Sequence, residues 1–89
     1  MASYKIKWKQ SAQKELKKLG KQTISRILQT VETLPDNPHP DGSHKLCGTE
    51  YTYRVGVGDY RIIYSIYSDI VTIEIVRIGH RKEVYRKFT

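Results

Sequence analysis

A proline-rich segment in the middle of the chain separates two halves with different hydrophobic periods. Residues 35–42 hold three prolines and end in Asp41-Gly42, a composition that neither a helix nor a central strand tolerates. Over residues 12–34, before this segment, apolar residues recur mostly every three or four positions. After it, they form short runs rich in Tyr, Ile and Val. The chain therefore predicts helices in its first half and a sheet in its second half.

The first half begins with a short strand, in which apolar residues alternate with lysines. The apolar residues of that strand are Tyr4, Ile6 and Trp8. A first helix is expected to begin with Ser11 as its N-cap and to stop at Gly20. A second helix is expected over residues 21–34. The connection at Gly20 is so short that the two helices should form an antiparallel hairpin.

The second half predicts three strands joined by tight turns. The expected strands cover residues 51–57, 60–67 and 70–78. Gly58-Asp59 is typical of a two-residue hairpin turn that begins with glycine, and Ser68-Asp69 is a candidate for a second turn. The tail over residues 83–88 predicts a short helix or a frayed end.

These elements form a single domain over residues 1–89. The predicted fold class is α+β, in the order β-α-α-β-β-β with a possible terminal helix: a helical hairpin packed on a small, largely antiparallel four-stranded sheet. The single cysteine, Cys47, excludes an internal disulfide and any multi-cysteine zinc site. No apolar run approaches the roughly 20 residues that span a bilayer. We expect a soluble protein of a reducing cytoplasm.

The Gly58-Asp59 turn also fixes which side chains share a face of the sheet. Val57 would pair with Tyr60 and Val55 with Ile62, so one face is apolar and should pack on the helices. The residues expected on this face are Tyr51, Tyr53, Val55, Val57, Tyr60, Ile62, Tyr64, Val71, Ile73 and Ile75. Tyr67 and Tyr85 are the tyrosines left free to stack on a base.

The opposite face would contain Arg54 and Arg61 as diagonal neighbours, roughly 7–8 Å apart at Cα. Two guanidinium groups at this spacing suit a bridging anion such as a phosphodiester. Gly56, directly across from Arg61, would let a substrate backbone approach. The alternative is that both arginines are solvated or paired with Glu74. The chain has 16 Lys and Arg against 9 Asp and Glu, a net charge of +7, which favours a polyanion or an acidic partner protein.

Three segments resemble the RelE toxins of the RelE/ParE superfamily. They are KLCG at residues 45–48, DYRIIY at residues 59–64 and GHRKEVYR at residues 79–86. The resemblance extends over essentially the whole chain. It implies the toxin of a type II toxin–antitoxin system, acting as a metal-independent mRNA endoribonuclease without a cofactor. In the ribosomal A site the ribose 2′-OH would attack the adjacent phosphate, and translation would stop.

The resemblance also assigns roles to individual residues. Arg61 would stabilise the scissile phosphate, Arg81 would assist the leaving group, and Tyr85 would stack on a base or act as a general base. Arg54 occupies the position of one of two strand lysines of well-known members, and Gly56 occupies the position of the other. The candidates for RNA binding are Lys45, Lys82, Arg86 and His80.

The implied partners are the 70S ribosome, its mRNA and a RelB-like antitoxin in the cytoplasm of a bacterium or an archaeon. The candidates for antitoxin contacts are Ile24, Ile27, Val84 and Phe88. Three other functions remain open. The chain could be a ParE-like toxin that poisons DNA gyrase, although such toxins lack this set of arginines and tyrosine. It could also be a non-catalytic RNA- or ribosome-binding module, or a basic domain that docks an acidic partner.

Overall fold

Two helices and five strands follow one another in residues 3–85, the part of the chain that the computed structural model describes. They are β1 (Lys5–Trp8), α1 (Gln10–Lys17), α2 (Lys21–Thr33), β2 (His44–Lys45), β3 (Thr52–Val57), β4 (Tyr60–Tyr67) and β5 (Thr72–His80). The strand order is β1-β5-β4-β3-β2; β1 is parallel to β5, and the other pairs are antiparallel. The predicted α+β class and helical hairpin are confirmed. The sheet has five strands rather than the predicted four, because the prediction did not include the two-residue strand β2.

The two helices begin and end close to the predicted positions, with two differences. Lys9, not Ser11, is the N-cap of α1, so the predicted cap is wrong. The Lys9 N–H donates to the Ile75 carbonyl at 3.0 Å, so the chain enters the helix directly from the β1–β5 pairing. Gly20 does not close α1 but is the extended N-cap residue of α2. Within residues 3–85, neither helix is long and apolar enough to cross a membrane.

The core lies between the helices and one face of the sheet. Its buried residues are Ala12, Ile27, Val31, Leu34, Val55, Val57, Ile62, Tyr64, Ile66, Ile73, Ile75 and Ile78. Tyr53 and Tyr60 pack against this cluster as predicted. Tyr51 does not, because it is 56% exposed and its ring lies 6.1 Å from the ring of Tyr67.

The connection from β4 to β5 is longer than predicted. Ser68–Ile70 form a 3₁₀ turn, and Val71 follows in the left-handed conformation with φ 48°. The predicted Ser68-Asp69 turn is therefore wrong, and Val71 lies outside the strand. Tyr67 pairs with Thr72, a shift of two residues. Ile73 and Ile75 remain in the core because side chains alternate with a period of two.

An irregularity in the β4–β5 pairing also directs side chains into the core. Ile63 lies opposite Arg77 and Tyr64 opposite Ile75, which leaves Val76 as an extra residue on β5. Ile75 and Ile78 are three positions apart, yet both are buried in the same cluster. Without the extra residue, strict alternation would place Arg77 on the core face.

Candidate functional site

The β3–β4 hairpin has the predicted register. Gly58 has φ 59°, as the first residue of this two-residue turn requires, and Gly56 lies opposite Arg61. We call the side of the sheet away from the helices the arginine face, defined by Arg54, Gly56, Arg61, Ile63 and Gly79. This face is not uniformly open, because Ile63 is 0% exposed.

Arg61 folds back across the neighbouring strand. Its Nη1 donates to the carbonyls of Gly58, at 3.0 Å, and Tyr60, at 2.9 Å. A β-carbon at Gly56 would lie 3.0 Å from this Nη1 and 3.2 Å from Cζ. The room expected above Gly56 for a substrate backbone is therefore occupied by the Arg61 guanidinium. The hydrogen bonds hold a positive charge above β3.

Arg54 and Tyr85 meet on the same face. Arg54 Nη1 lies 3.4 Å from the Tyr85 hydroxyl, and the guanidinium carbon lies 5.8 Å from the centre of the Tyr85 ring. This contact joins β3 to the turn over residues 81–85. Val84 positions the turn, because it is buried and lies 3.3 Å from the place that a β-carbon of Gly79 would occupy.

Arg81 lies where the β4–β5 ladder ends. Its N–H donates to the Asp59 carbonyl at 2.8 Å, and its Nε is 3.8 Å from Asp59 Oδ1. The Arg81 side chain is 54% exposed. Arg61 and Arg81 therefore contact the two successive residues of the same turn, Gly58 and Asp59.

A third arginine reaches this turn, from α2, and its place there was not predicted from the sequence. The guanidinium of Arg26 lies 3.2 Å from the place that a β-carbon of Gly58 would occupy. Helical periodicity places Arg26 on the polar side of α2 but says nothing about which strand turn lies beside it. Guanidinium groups from α2, β4 and the segment after β5 thus surround one hairpin turn.

Two of the predicted RNA-binding residues lie away from this face. Lys45 pairs with Tyr53, and His80 pairs with Tyr60, so both belong to the helix side of the sheet. The His80 ring packs on Tyr60 at 5.7 Å, and its Nδ1 accepts from the Lys82 N–H at 3.2 Å. Lys82 is exposed in the turn after β5. Arg86 lies outside the described residues.

The predicted antitoxin contacts differ in how exposed their side chains are. Ile27 is 0% and Val84 is 1% exposed, so a partner could not reach either side chain in this structure, and their role in antitoxin binding stays a prediction. Ile27 belongs to the core, and Val84 covers Gly79. Ile24 is partly exposed on α2, beside Leu28, which is 37% exposed. Phe88 lies outside the described residues.

One titratable residue on the arginine face was not predicted from the sequence. His44 lies in β2 directly opposite Arg54, so the two side chains project from the same side of the sheet. His44 lies two residues after the proline-rich segment, in a strand of two residues that is too short for alternation to be recognised. Across residues 3–85, no three His, Cys, Asp or Glu side chains come together in an arrangement that could hold a metal ion.

Comparison with known proteins identifies the family. The family model described as "ParE toxin of type II toxin-antitoxin system, parDE" matches residues 6–85. A relative named putative toxin RelE1, from Methanocaldococcus jannaschii, is 32% identical over 76 residues, which cover 82% of this chain and 84% of the relative. The chain belongs to the RelE/ParE toxin superfamily.

Solved structures of RelE proteins share the fold of this RelE-like chain. A chain of the archaeal RelE–RelB complex from Pyrococcus horikoshii OT3 matches with a TM-score of 0.81 and 31% identity. The match covers 92% of this chain and 99% of the archaeal one. The isolated Escherichia coli RelE toxin matches with a TM-score of 0.79 at 23% identity, over 97% and 95% of the two chains. The α+β architecture is therefore that of RelE.

Proposed function

We propose that this chain is a type II toxin that cuts mRNA in the ribosomal A site and so blocks translation in the cytoplasm of a bacterium or an archaeon. The proposal rests chiefly on one observation. Arg54 and Arg61 project from one face of the sheet, and Tyr85 folds against Arg54 on that face. Guanidinium groups bind phosphate oxygens well, and an aromatic ring can stack on a base.

The proposed reaction is a transesterification, in which the neighbouring ribose 2′-OH replaces the 5′-oxygen on the phosphorus of the phosphodiester. The 2′-oxygen attacks phosphorus, the bond from phosphorus to the 5′-oxygen breaks, and the products have a 2′,3′-cyclic phosphate and a 5′-OH. Negative charge grows on the phosphate oxygens in the transition state. Arg61 is suited to stabilise it, because its two carbonyl contacts orient the guanidinium before substrate arrives.

Arg81 is proposed to stabilise the departing 5′-oxygen. Its ion pair with Asp59 is long and exposed, so the guanidinium is free to exchange that carboxylate for a substrate oxygen. For the same reason, loss of Arg81 should change the free energy of unfolding by less than about 1 kcal/mol. Loss of activity in Arg81→Ala can then be attributed to chemistry rather than to folding.

Primer extension on a defined message in programmed 70S ribosomes with an empty A site tests the proposal. Wild type should cut inside the A-site codon, and Arg61→Ala should cut about 10²–10³-fold more slowly. Lys14→Ala removes one exposed cation from α1, on the other side of the sheet, and is the matched control. An uncut message at every toxin concentration would refute the nuclease proposal and favour a binding-only role.

The proposed partner is a RelB-like antitoxin. Matched structures include RelE–RelB and RelB–RelE complexes, and the net charge of +7 suits an acidic segment over the arginine face. Adding a cognate RelB-like antitoxin to the primer-extension reaction should abolish cleavage near a 1:1 ratio. Continued cleavage in the presence of a formed complex would show that the antitoxin leaves the arginine face uncovered.

Gyrase poisoning is the second candidate, because the matching family model is described as a ParE toxin. A supercoiling assay with purified gyrase separates the two functions. We expect no inhibition at concentrations of the chain that cut ribosome-bound mRNA. Inhibition of supercoiling without RNA cleavage would assign the ParE function instead.

A further inference from the structure

The proposed cleavage requires a group that takes the proton of the attacking 2′-OH. The side chains assigned so far are poorly suited to this step near pH 7. Guanidinium groups keep their proton to above about pH 12, and phenols ordinarily lose theirs near about pH 10. Imidazole is the side chain that ordinarily gains and loses a proton near neutral pH. A histidine on the arginine face would therefore supply what the arginines and Tyr85 lack.

His44 occupies such a position. It lies directly opposite Arg54 in the β2–β3 pair and is exposed. Directly opposite side chains have β-carbons about 4.5–5.5 Å apart, and diagonal neighbours are roughly 7–8 Å apart. Gly56 is the diagonal neighbour of His44, and the Arg61 guanidinium lies over Gly56. His44 therefore lies on the same face as both cations proposed to hold the phosphate, directly opposite one of them.

The other two histidines of the sequence have different surroundings. The His39 ring packs edge-on against Tyr53, 4.9 Å between centres, and Tyr53 belongs to the helix side of the sheet. His80 packs on Tyr60, and its Nδ1 accepts from the Lys82 N–H. Among the three histidines in the sequence, His44 is therefore the one placed on the arginine face.

We propose that His44 is the general base of the cleavage reaction, an inference that rests on the proposed function. A ring nitrogen of His44 takes the proton of the 2′-OH as the 2′-oxygen bonds to phosphorus. The bond from phosphorus to the 5′-oxygen breaks, its electron pair leaves with that oxygen, and the oxygen takes a proton from water. The imidazolium then returns its proton to solvent.

The charged and titratable groups around His44 belong to β3, β4 and the turn after β5, and the β4 group is Arg61, whose guanidinium lies over Gly56. Arg54 is its direct neighbour, and the phenol of Tyr85 contacts Arg54. Arg54 holds phosphate, and Tyr85 presents its ring to a base, so neither role competes with proton transfer to His44. The arrangement separates the three tasks of the site among three adjacent side chains.

Single-turnover cleavage on programmed 70S ribosomes, measured from pH 5.5 to 8.5, tests this assignment. Wild type should speed up as pH rises and then level off, as expected when the reaction needs a general base in its unprotonated form. His44→Gln should be about 10²-fold slower or more and lose this rise. His39→Gln, the control, should keep the wild-type profile. Arg61→Ala should be slow but retain the rise.

Two further variants separate a base from a phosphate-binding cation. His44→Arg keeps a positive charge but cannot accept a proton near neutral pH, so it should be as slow as His44→Gln. Added imidazole should speed His44→Ala by at least about tenfold. Because the side chain is exposed, the urea midpoints of these variants should match wild type.

The outcomes distinguish the two levels of the proposal. A wild type that cuts, with His44→Gln equal to it in rate and profile, overturns the assignment of His44 and leaves the nuclease proposal intact. A fully active His44→Arg also overturns it, since charge alone would then suffice. A wild type that leaves ribosome-bound message uncut refutes the nuclease function, and the base with it.

Discussion

Arg61 and Gly56 form a pair in which the glycine provides the space that the arginine occupies. The Arg61 guanidinium lies across the strand over Gly56, and its Nη1 is 3.0 Å from the place of a β-carbon there. The same Nη1 donates to two carbonyls around the hairpin turn. The orientation of the proposed phosphate-binding group therefore depends on the absence of a side chain on the neighbouring strand.

Gly56→Ala should impair cleavage without unfolding the protein. The added methyl group meets the far end of a flexible side chain, so Arg61 moves and the sheet does not. A displacement of about 1 Å can cost about 10²-fold in rate. The free energy of unfolding should change by less than about 1 kcal/mol, since alanine is the better strand residue. Cleavage rates and urea unfolding curves check both expectations.

Gly20→Ala is the matched control for that variant. Within the described chain, a β-carbon at Gly20 would meet no atom of a non-neighbouring residue within 4 Å. Gly20 lies at the start of α2, away from the arginine face. Its cleavage rate should equal that of wild type. Equal rates for Gly56→Ala and wild type would contradict the importance of the folded-back Arg61 conformation.

Tyr85→Phe should retain cleavage within about threefold, because base stacking needs the ring and not the hydroxyl. The contact from Arg54 to the hydroxyl, at 3.4 Å, is long for a hydrogen bond and contributes little. Tyr85→Ala should lose about 10–100-fold, the usual effect of removing a stacking platform. If Tyr85→Phe is as slow as Tyr85→Ala in the same assay, the phenol takes part in proton transfer.

Glu15→Gln should lower the free energy of unfolding by about 1 kcal/mol, because the amide oxygen can still accept a hydrogen bond but the negative charge is lost. Glu15 Oε1 accepts from the Ile78 N–H at 3.0 Å, and Oε2 lies 3.4 Å from Arg77 Nε. β1 pairs with β5 only as far as Ile75. Beyond that residue, the Glu15 carboxylate accepts a hydrogen bond from the edge of β5, as a strand carbonyl would. Urea unfolding measures the loss. Glu32→Gln, exposed on α2, should show none; equal losses would contradict the role of Glu15.

Tyr64→Phe should change how stability depends on alkaline pH. Burial raises the pKa of the Tyr64 phenol, the neighbouring Tyr53 raises it further, and a hydrogen bond with Ser43 partly opposes the rise. The folded protein therefore holds this proton more tightly than the unfolded chain does. The resulting stability is fully present below about pH 10, the ordinary phenol pKa, and is lost as pH rises through the higher folded value.

The measurement for Tyr64→Phe is urea unfolding at pH 7 and at pH 10–11. The Tyr64 hydroxyl donates to the Pro38 carbonyl at 2.8 Å, so the variant should be about 1 kcal/mol less stable at pH 7. That deficit should shrink at high pH, where ionising the buried phenol destabilises wild type. A deficit that stays constant with pH would contradict the assigned titration.

The hairpin part of the site could be predicted from sequence because one local rule determines it. Glycine adopts the left-handed conformation that the first position of the turn requires, so Gly58 fixes the β3–β4 register. That register places Arg54, Gly56 and Arg61 on one face. The β4–β5 turn has no such marker, since Val71 adopts φ 48°, which β-branched residues rarely do. No turn rule would select valine there.

The contributions of short and distant segments could not be predicted. β2 has two residues, too few for alternation to be recognised, so the neighbour of Arg54 was missed. The contact of Arg26 with the hairpin turn depends on how α2 packs, which periodicity does not determine. Likewise, the apolar stripe of α2 does not reveal that Ile27 is buried while Leu28 is partly exposed.

The parallel pairing of β1 with β5 has a consequence for synthesis of the protein. Ile6 pairs with Ile73, so the first strand cannot form this pairing until a segment 67 positions later in the chain has been synthesised. Contacts of such sequence separation form slowly, because a long loop must close first. While the chain emerges from the ribosome, β1 has no strand to pair with, and the segment that brings Arg81 and Tyr85 follows β5. The arginine face is therefore completed late, after nearly all of the described chain has been translated.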